Sequence, residues 1–258
     1  GSIESIEVIT NPSAKFSPEG TAGIINLVMK KDRKSGYIGS VSAGASYQMN
    51  GKLSGNASAN FNYNSSKFDF YANLGFRQRD RVGTGYTDRY SFKPGTNMSD
   101  TLSFMHQDND LIRSSWGLFG RTGLSWHINK KNTLGISGMF NTQDNNNYSV
   151  IDYDVIRFTT LDTARYKHFS DVDALRLSYN VTLDYLYEID KKGSEIRSSI
   201  TYGGNQRDQD ANYNQTVEYG NASAYTQKQY SGYNNHTAEF KSDYVQKFSD
   251  NMKLEAGV

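Results

Sequence analysis

Leu53-Ser54-Gly55-Asn56-Ala57-Ser58-Ala59-Asn60-Phe61-Asn62-Tyr63 alternates without exception: every odd position is apolar or small, and every even position is polar. Period two at this length is the mark of a strand with one apolar and one hydrated face. Phe68, Phe70, Ala72, Leu74 and Phe76 repeat it, opposed by Asp69, Tyr71, Asn73 and Arg77. It returns in Trp116, Leu118, Leu124, Trp126 and Ile128, and in Leu134, Ile136 and Phe140. A further run is Leu175, Leu177, Tyr179, Val181, Leu183, Tyr185 and Tyr187, followed by Ile196, Ile200 and Tyr202. Ala238, Phe240, Tyr244 and Phe248, then Met252, Leu254, Ala256 and Val258, close the series. The reading gives about nine strands, most of roughly 9–11 residues, the length of a tilted strand across a bilayer.

The connections sort into two kinds. Short polar turns are expected at Asn64-Ser65-Ser66-Lys67, Asn129-Lys130-Lys131-Asn132, Asp190-Lys191-Lys192-Gly193 and Ser249-Asp250-Asn251. Long segments are expected near Asp80 to Asp110, Ser149 to Asp173 and Arg207 to Asn235, alternating with the short turns. Outer-membrane barrels carry short periplasmic turns on one rim and long extracellular loops on the other. Asn50-Gly51 is a tight hairpin signal on the long-loop rim. A soluble antiparallel sandwich also alternates, but its connections do not separate by rim. Its solvent face is usually richer in Lys and Glu than the Asn, Ser, Thr and Gly seen here.

Composition narrows the classes. The chain has 258 residues, of which 36% are hydrophobic, and no stretch approaches the roughly 18 apolar residues of a spanning helix. A barrel stays open, because its strands alternate and their mean hydropathy is low. Nineteen Tyr, 13 Phe and only 3 Pro favour strands with many interfacial side chains. Tyr37, Tyr47, Trp126, Tyr185, Tyr187 and Tyr244 stand near strand ends as candidates for aromatic girdles. A net charge of +1 gives no electrostatic case for nucleic acid, and the absence of Cys removes disulfides and thiolate chemistry.

Ahead of the strands stand Ile3-Glu4-Ser5-Ile6-Glu7-Val8-Ile9, Asn11-Pro12-Ser13-Ala14-Lys15-Phe16 and Gly20-Thr21-Ala22-Gly23-Ile24-Ile25-Asn26-Leu27-Val28. By themselves these residues read as strand, turn and strand, with a bend at Gly20 and Gly23 and a return to water at Lys30 to Lys34. In order, they resemble the end of the plug domain of TonB-dependent outer-membrane receptors. There an Ile-Glu-x-Ile-Glu-Val strand precedes a Pro-Ser turn, a Gly-rich bend and a Gly-Ile-Ile-Asn-Leu strand. Asn11-Pro12 replaces the more frequent Gly-Pro, and Phe16-Ser17-Pro18-Glu19 the more frequent Tyr-Gly, as in the longer version found in one branch of that family.

The resemblance implies an all-β, antiparallel transmembrane β-barrel, present in part as about nine strands, preceded by a plug remnant. Residues 1–34 would be the C-terminal end of the plug and 35–258 the N-terminal part of the barrel. Barrels of such transporters have roughly 22 strands, so the native sequence is expected to continue at both ends, with Gly1-Ser2 a cloning scar or excision point. The implied function is energy-coupled uptake of a siderophore, peptide or glycan across the cell outer membrane, without catalysis or cofactor. The implied partners are membrane lipids, the TonB complex reached through a preceding region, the ligand, and a surface lipoprotein over the outer loops. A passive pore, with Ile3 to Val28 as an initial hairpin, and a soluble β-rich binding module are the alternatives.

Among chemistry-bearing residues, His106 lies near Asp108 and Asp110, and His168 near Asp171 and Asp173, yet neither set has a metal or catalytic spacing. Asp144-Asn145-Asn146-Asn147 and Asp208-Gln209-Asp210 offer oxygen ligands without an EF-hand pattern. Catalytic, cofactor and metal residues are therefore assigned to none. Outer loops containing Arg79, Arg81, Tyr86, Arg89, Tyr90 and Phe92, or Tyr213, Tyr219, Tyr225, Tyr230 and Tyr233, mix aromatic and polar groups and suit ligand capture. They are equally what any exposed loop of a Tyr-rich chain contains, so ligand-binding residues stay unassigned.

Overall fold

The computed structural model describes residues 3–9, 24–29, 35–48, 51–95, 100–249 and 252–258. Two strands, β1 (Ile3–Ile9) and β2 (Ile24–Met29), pair antiparallel, with Glu7 opposite Asn26 and Val8 opposite Ile25. The Pro-Ser turn and Gly-rich bend anticipated between them lie outside the described residues.

Nine further strands form one antiparallel meander: β3 (Gly36–Tyr47), β4 (Leu53–Asn64), β5 (Phe68–Phe92), β6 (Thr101–His127), β7 (Asn132–Arg157), β8 (Asp162–Glu188), β9 (Glu195–Tyr219), β10 (Tyr225–Ser249) and β11 (Met252–Gly257). Each pairs with its neighbours in sequence, and among the described residues β3 and β11 are the edges. The number of strands agrees with the alternation.

Their length does not. Strands β5 to β10 run for 25 to 27 residues, and the long loops expected at Asp80 to Asp110, Ser149 to Asp173 and Arg207 to Asn235 are strand. Arg81 pairs with Arg113, Ile151 with His168, and Tyr213 with Gln227 inside those segments. The connections shrink to 93–100, 158–161 and 220–224. The reason is that alternation reports a difference between two faces, and it vanishes where both faces meet water. Backbone hydrogen bonds and β-favouring Tyr, Thr and Val still hold such a ladder together. At about 3.4 Å per residue the strands reach roughly 85–90 Å, far more than a bilayer requires.

At the opposite rim the connections are short, and the three among the described residues are each tied by a side-chain oxygen to their own backbone. Ser65 Oγ accepts from Phe68 N–H at 2.9 Å. Asn129 Oδ1 accepts from Lys131 and Asn132 N–H at 2.9 and 3.0 Å. Asp190 Oδ1 accepts from Lys192 and Ser194 N–H at 2.8 and 3.1 Å. The amide of Ser194 and its neighbours hold the Asp190 carboxyl below the ordinary carboxylate range. Ser194 is fully buried, and its Oγ accepts from Lys247 N–H at 3.0 Å, stitching the turn to β10. At the long-strand rim, Gly51 adopts φ 85° and its N–H reaches the Gln48 carbonyl, as a tight turn between β3 and β4 requires. Asn50 and Asp250-Asn251 lie outside the described residues.

Register places the apolar residues on one continuous face. Phe68 opposes Trp126, which opposes Leu134, which opposes Tyr185. Leu183, Ile200 and Phe240 form a similar row. These side chains stay open: Leu74 is 57% exposed, Leu183 45% and Phe240 56%, while Ala164, Ala174 and Ala211 are the buried apolar residues among those described. A sheet whose large apolar side chains point away from any protein core is built for an apolar solvent.

Two aromatic rows bound this face. Near the short turns, Trp126 stacks on Phe68 at 6.3 Å, and the Tyr185 hydroxyl donates to Asn132 at 2.5 Å. Six residues beyond Tyr185 on β8, Tyr179 gathers with Tyr202 around His236, and Trp116 stands ten residues beyond Trp126 on β6. With a tilt of about 40° that separation spans roughly 25 Å, the height of an outer-membrane apolar band.

Candidate functional site

The polar face carries the chemistry. From the level of Trp116 upward, strand β5 presents Arg77, one position below the residue opposite Trp116, then Arg79 and Arg81, at alternate positions and all exposed. Arg81 lies directly opposite Arg113 of β6, and Arg113 opposite Asn147 of β7. Two strands away Arg176 of β8 directly opposes Arg207 of β9, with Gln143 of β7 on its other side. Between the arginines β7 supplies a ladder of amides, Gln143, Asn145 and Asn147. Arg113, Arg176, Arg207 and these amides line one groove of about 550 Å³, and Arg77, Arg79, Arg81 and Arg113 line an adjoining one of about 250 Å³.

No carboxylate shares these rows. Arg207 donates instead to the neutral Gln209 side chain. Among the described residues, no carboxylate forms an ion pair with Arg77, Arg79, Arg81, Arg113 or Arg176. The acids at this height stand on the opposite face, where neutral donors satisfy them: Gln78 on Asp80 at 3.2 Å, Asn146 on Asp173 at 2.6 Å and Gln206 on Asp208 at 2.8 Å. The Asp208 carboxylate, which accepts from the Tyr230 hydroxyl at 3.3 Å, raises the Tyr230 pKa. The wall is thus electrically two-sided, Arg on one surface and Asp on the other.

Roughly 14 Å higher on the arginine face, from the rise per residue, an aromatic cluster begins. Tyr153 and Tyr166 stack at 4.6 Å, His168 stacks on Tyr213 at 5.9 Å, and the Tyr225 hydroxyl meets His168 Nδ1 at 3.3 Å. Burial raises the pKa of both Tyr153 and Tyr166, so both remain neutral donors at physiological pH.

The candidates read from sequence separate accordingly. His168 lies on the arginine face and Asp171 and Asp173 on the other, so that grouping does not form. Alternation splits Asp144 and Asn146 from Asn145 and Asn147, and Asp208 and Asp210 from Gln209; among the described residues no three acidic or His side chains converge on a metal position. Tyr86, Tyr90 and Tyr230 face away from the arginines, whereas Arg79, Arg81, Arg89, Tyr213, Tyr225 and Tyr233 share their side. Arg113, Arg176 and Arg207 are not among the loop residues singled out from the sequence, because only cross-strand register shows that they meet. The one local signal is Arg-x-Arg-x-Arg at 77–81, whose period of two continues β5.

His106 does form a cluster, with an unforeseen partner. Its Nδ1 lies 2.6 Å from Asp88 on the neighbouring strand and its Nε2 3.3 Å from Asp108. The hydrogen bond to Asp88 raises the His106 pKa above its ordinary 6.5. A raised histidine stabilises the folded ladder fully below the ordinary pKa, and that contribution is lost as pH rises through the folded value. Amide exchange around Asp88 and His106 is therefore expected to quicken, beyond its intrinsic pH dependence, as the pH rises from the ordinary histidine value through the raised one. His106→Gln should remove this extra step; its persistence would show that His106 is not the titrating group.

Residues 187–258, from the end of β8 through β11, match the model of an outer membrane protein beta-barrel family. The sheet is outer-membrane β-barrel wall. No curated protein matches the chain. In an outer-membrane wall the apolar face meets lipid, the short turns are periplasmic and the polar face looks into the lumen. The arginines therefore line the lumen near the outer leaflet, and the Tyr153–Tyr166 cluster stands above them in the extracellular hairpins.

Proposed function

We propose that this chain is part of a TonB-dependent receptor that takes up a nutrient ligand across the outer membrane, with residues 1–34 ending the plug and 35–258 forming wall. The observation that carries this reading is the β1–β2 pair. It sets the Ile-Glu-x-Ile-Glu-Val strand against the Ile-Ile-Asn-Leu strand directly before the first wall strand, in the order seen in plug domains. The long, paired extracellular hairpins fit capture at the outer face, and a lumen lined by hydrogen-bonding groups fits passage. Lipids surround the wall, the TonB complex engages a region preceding this chain, and a surface lipoprotein could seat on the hairpins. No catalytic step is assigned.

Planar-bilayer conductance of the native full-length protein tests this. The intact protein is expected to stay closed, and removal of residues 3–29 together with the chain preceding them should open a persistent channel. Equal conductance before and after removal would instead favour a passive pore in which Ile3 to Val28 is only a hairpin.

A further inference from the structure

We infer that the arginine–amide belt of the lumen face binds an acidic oligosaccharide. This rests on the polar face lining the ligand path, and it adds a substrate class to the proposed uptake function.

The first argument is electrostatic. Like charges placed directly opposite on neighbouring strands destabilise a sheet, and this wall does so twice, at Arg81–Arg113 and at Arg176–Arg207. No carboxylate on the same rows relieves either pair, although acids are plentiful on the other surface. A ligand bearing oxyanions supplies the missing charge, and a guanidinium binds carboxylate or sulfate through two parallel hydrogen bonds.

The second argument is spatial. Strand spacing and rise place the two arginine pairs about 17 Å apart at the backbone, so one small anion cannot neutralise both. The ground between them is neutral and rich in hydrogen-bonding groups: Gln143, Asn145 and Asn147 can each donate to and accept from hydroxyls. Beside the amide ladder the small Ala174, directly opposite Asn145, lines the same groove, leaving room for a ligand to lie along the wall. Acid groups separated by hydroxyl-bearing rings match this order of charge, amide and charge. The Tyr153–Tyr166 stack above adds flat apolar faces of the kind on which sugar rings pack.

Calorimetric titration of the native full-length receptor in detergent tests the inference, using tetragalacturonate, a sulfated heparin tetrasaccharide, neutral maltotetraose and inorganic phosphate as probes. At least one acidic tetrasaccharide is expected to bind, with affinity falling as salt rises, while maltotetraose does not. Which acid binds distinguishes carboxylate from sulfate recognition. Arg81→Gln with Arg113→Gln, and separately Arg176→Gln with Arg207→Gln, should each weaken binding about tenfold or more. The matching Lys pairs keep the charge without the fork and should fall between. Arg197→Gln, near the periplasmic turns, should change nothing.

Heat-dependent electrophoretic mobility reports whether each variant barrel is folded. Binding of maltotetraose as tight as that of the acids, or phosphate binding as well as the tetrasaccharides, would overturn the assignment. So would Arg→Gln pairs that bind normally but leak in bilayers, which would mean that the arginines hold the plug. Binding in detergent requires neither a proton gradient nor the TonB complex, so loss of this site and loss of coupled uptake are observed separately.

Discussion

Leu74→Lys in the full-length protein is expected to block assembly into the outer membrane, whereas Asn73→Lys, one residue away, should assemble normally. Leu74 belongs to the face that carries Phe68 and Trp126 at one boundary and Trp116 at the other. Counted along β5, it falls near the middle of the apolar band, since Phe68 opposes Trp126 and Gln78 opposes Trp116. A lysine on the lipid face at this depth costs roughly 2–4 kcal/mol, and the penalty fades towards the interfaces. Phe70→Lys, nearer the periplasmic girdle, should therefore be less damaging, because the ammonium can reach the headgroups along its stem. Asn73 occupies the same depth on the lumen side, opposite Arg121, where a cation remains hydrated and its repulsion from Arg121 costs only about 1 kcal/mol or less. Heat-dependent mobility together with surface protease accessibility in cells measures assembly. Asn73→Lys proving the more harmful change would invert the assignment of faces, and with it the lumenal position of the arginines.

Gly220→Ala should open the extracellular end of the β8–β9–β10 hairpins while leaving the membrane band intact. Gly220 takes φ 84° at the start of the 220–224 connection, a left-handed conformation that costs an L-residue roughly 1–2 kcal/mol. A Cβ built there would also overlap the Thr163 carbonyl oxygen and lie 2.6 Å from the Ala164 Cα, both backbone atoms. Ala164 is only 1% exposed and sits beside the irregularity at Arg165 and Tyr166, where β8 and β9 change register. The backbone has little room to yield, and overpacking adds about 1–3 kcal/mol. Limited proteolysis should find a new cut within residues 220–224, and amide exchange should quicken there but not at Leu183 or Ile200. Protection equal to the parent protein would show that the hairpin end accommodates the methyl group.

Much of the wall is legible in the amino-acid pattern. The strand at 53–63, the lipid face of β5 and the three described short turns at Ser65, Asn129 and Asp190 all stand where the alternation and the turn residues put them. The outer hairpins are not legible as strands. Tyr86 and Asp108 pair in the ladder, as do Asp152 and Lys167, but neither side of the sheet there is apolar, so the side chains keep no period for a reader to detect. Candidate clusters drawn from nearby positions, such as His168 with Asp171, fail because a strand sends neighbours an odd number apart to opposite surfaces. His106 finds Asp88, eighteen residues away in sequence, because β5 and β6 are antiparallel.

The sequence by itself determined the class of this protein, because a bilayer imposes a repeating demand on every strand that crosses it, and Leu53 to Tyr63 records that demand residue by residue. It also determined which side of each crossing strand meets lipid. Only the tertiary structure decided what faces the lumen as a group. Arg81 opposes Arg113 and Arg176 opposes Arg207 through hydrogen-bond register between distant segments, and register is a property of paired strands that no single segment contains.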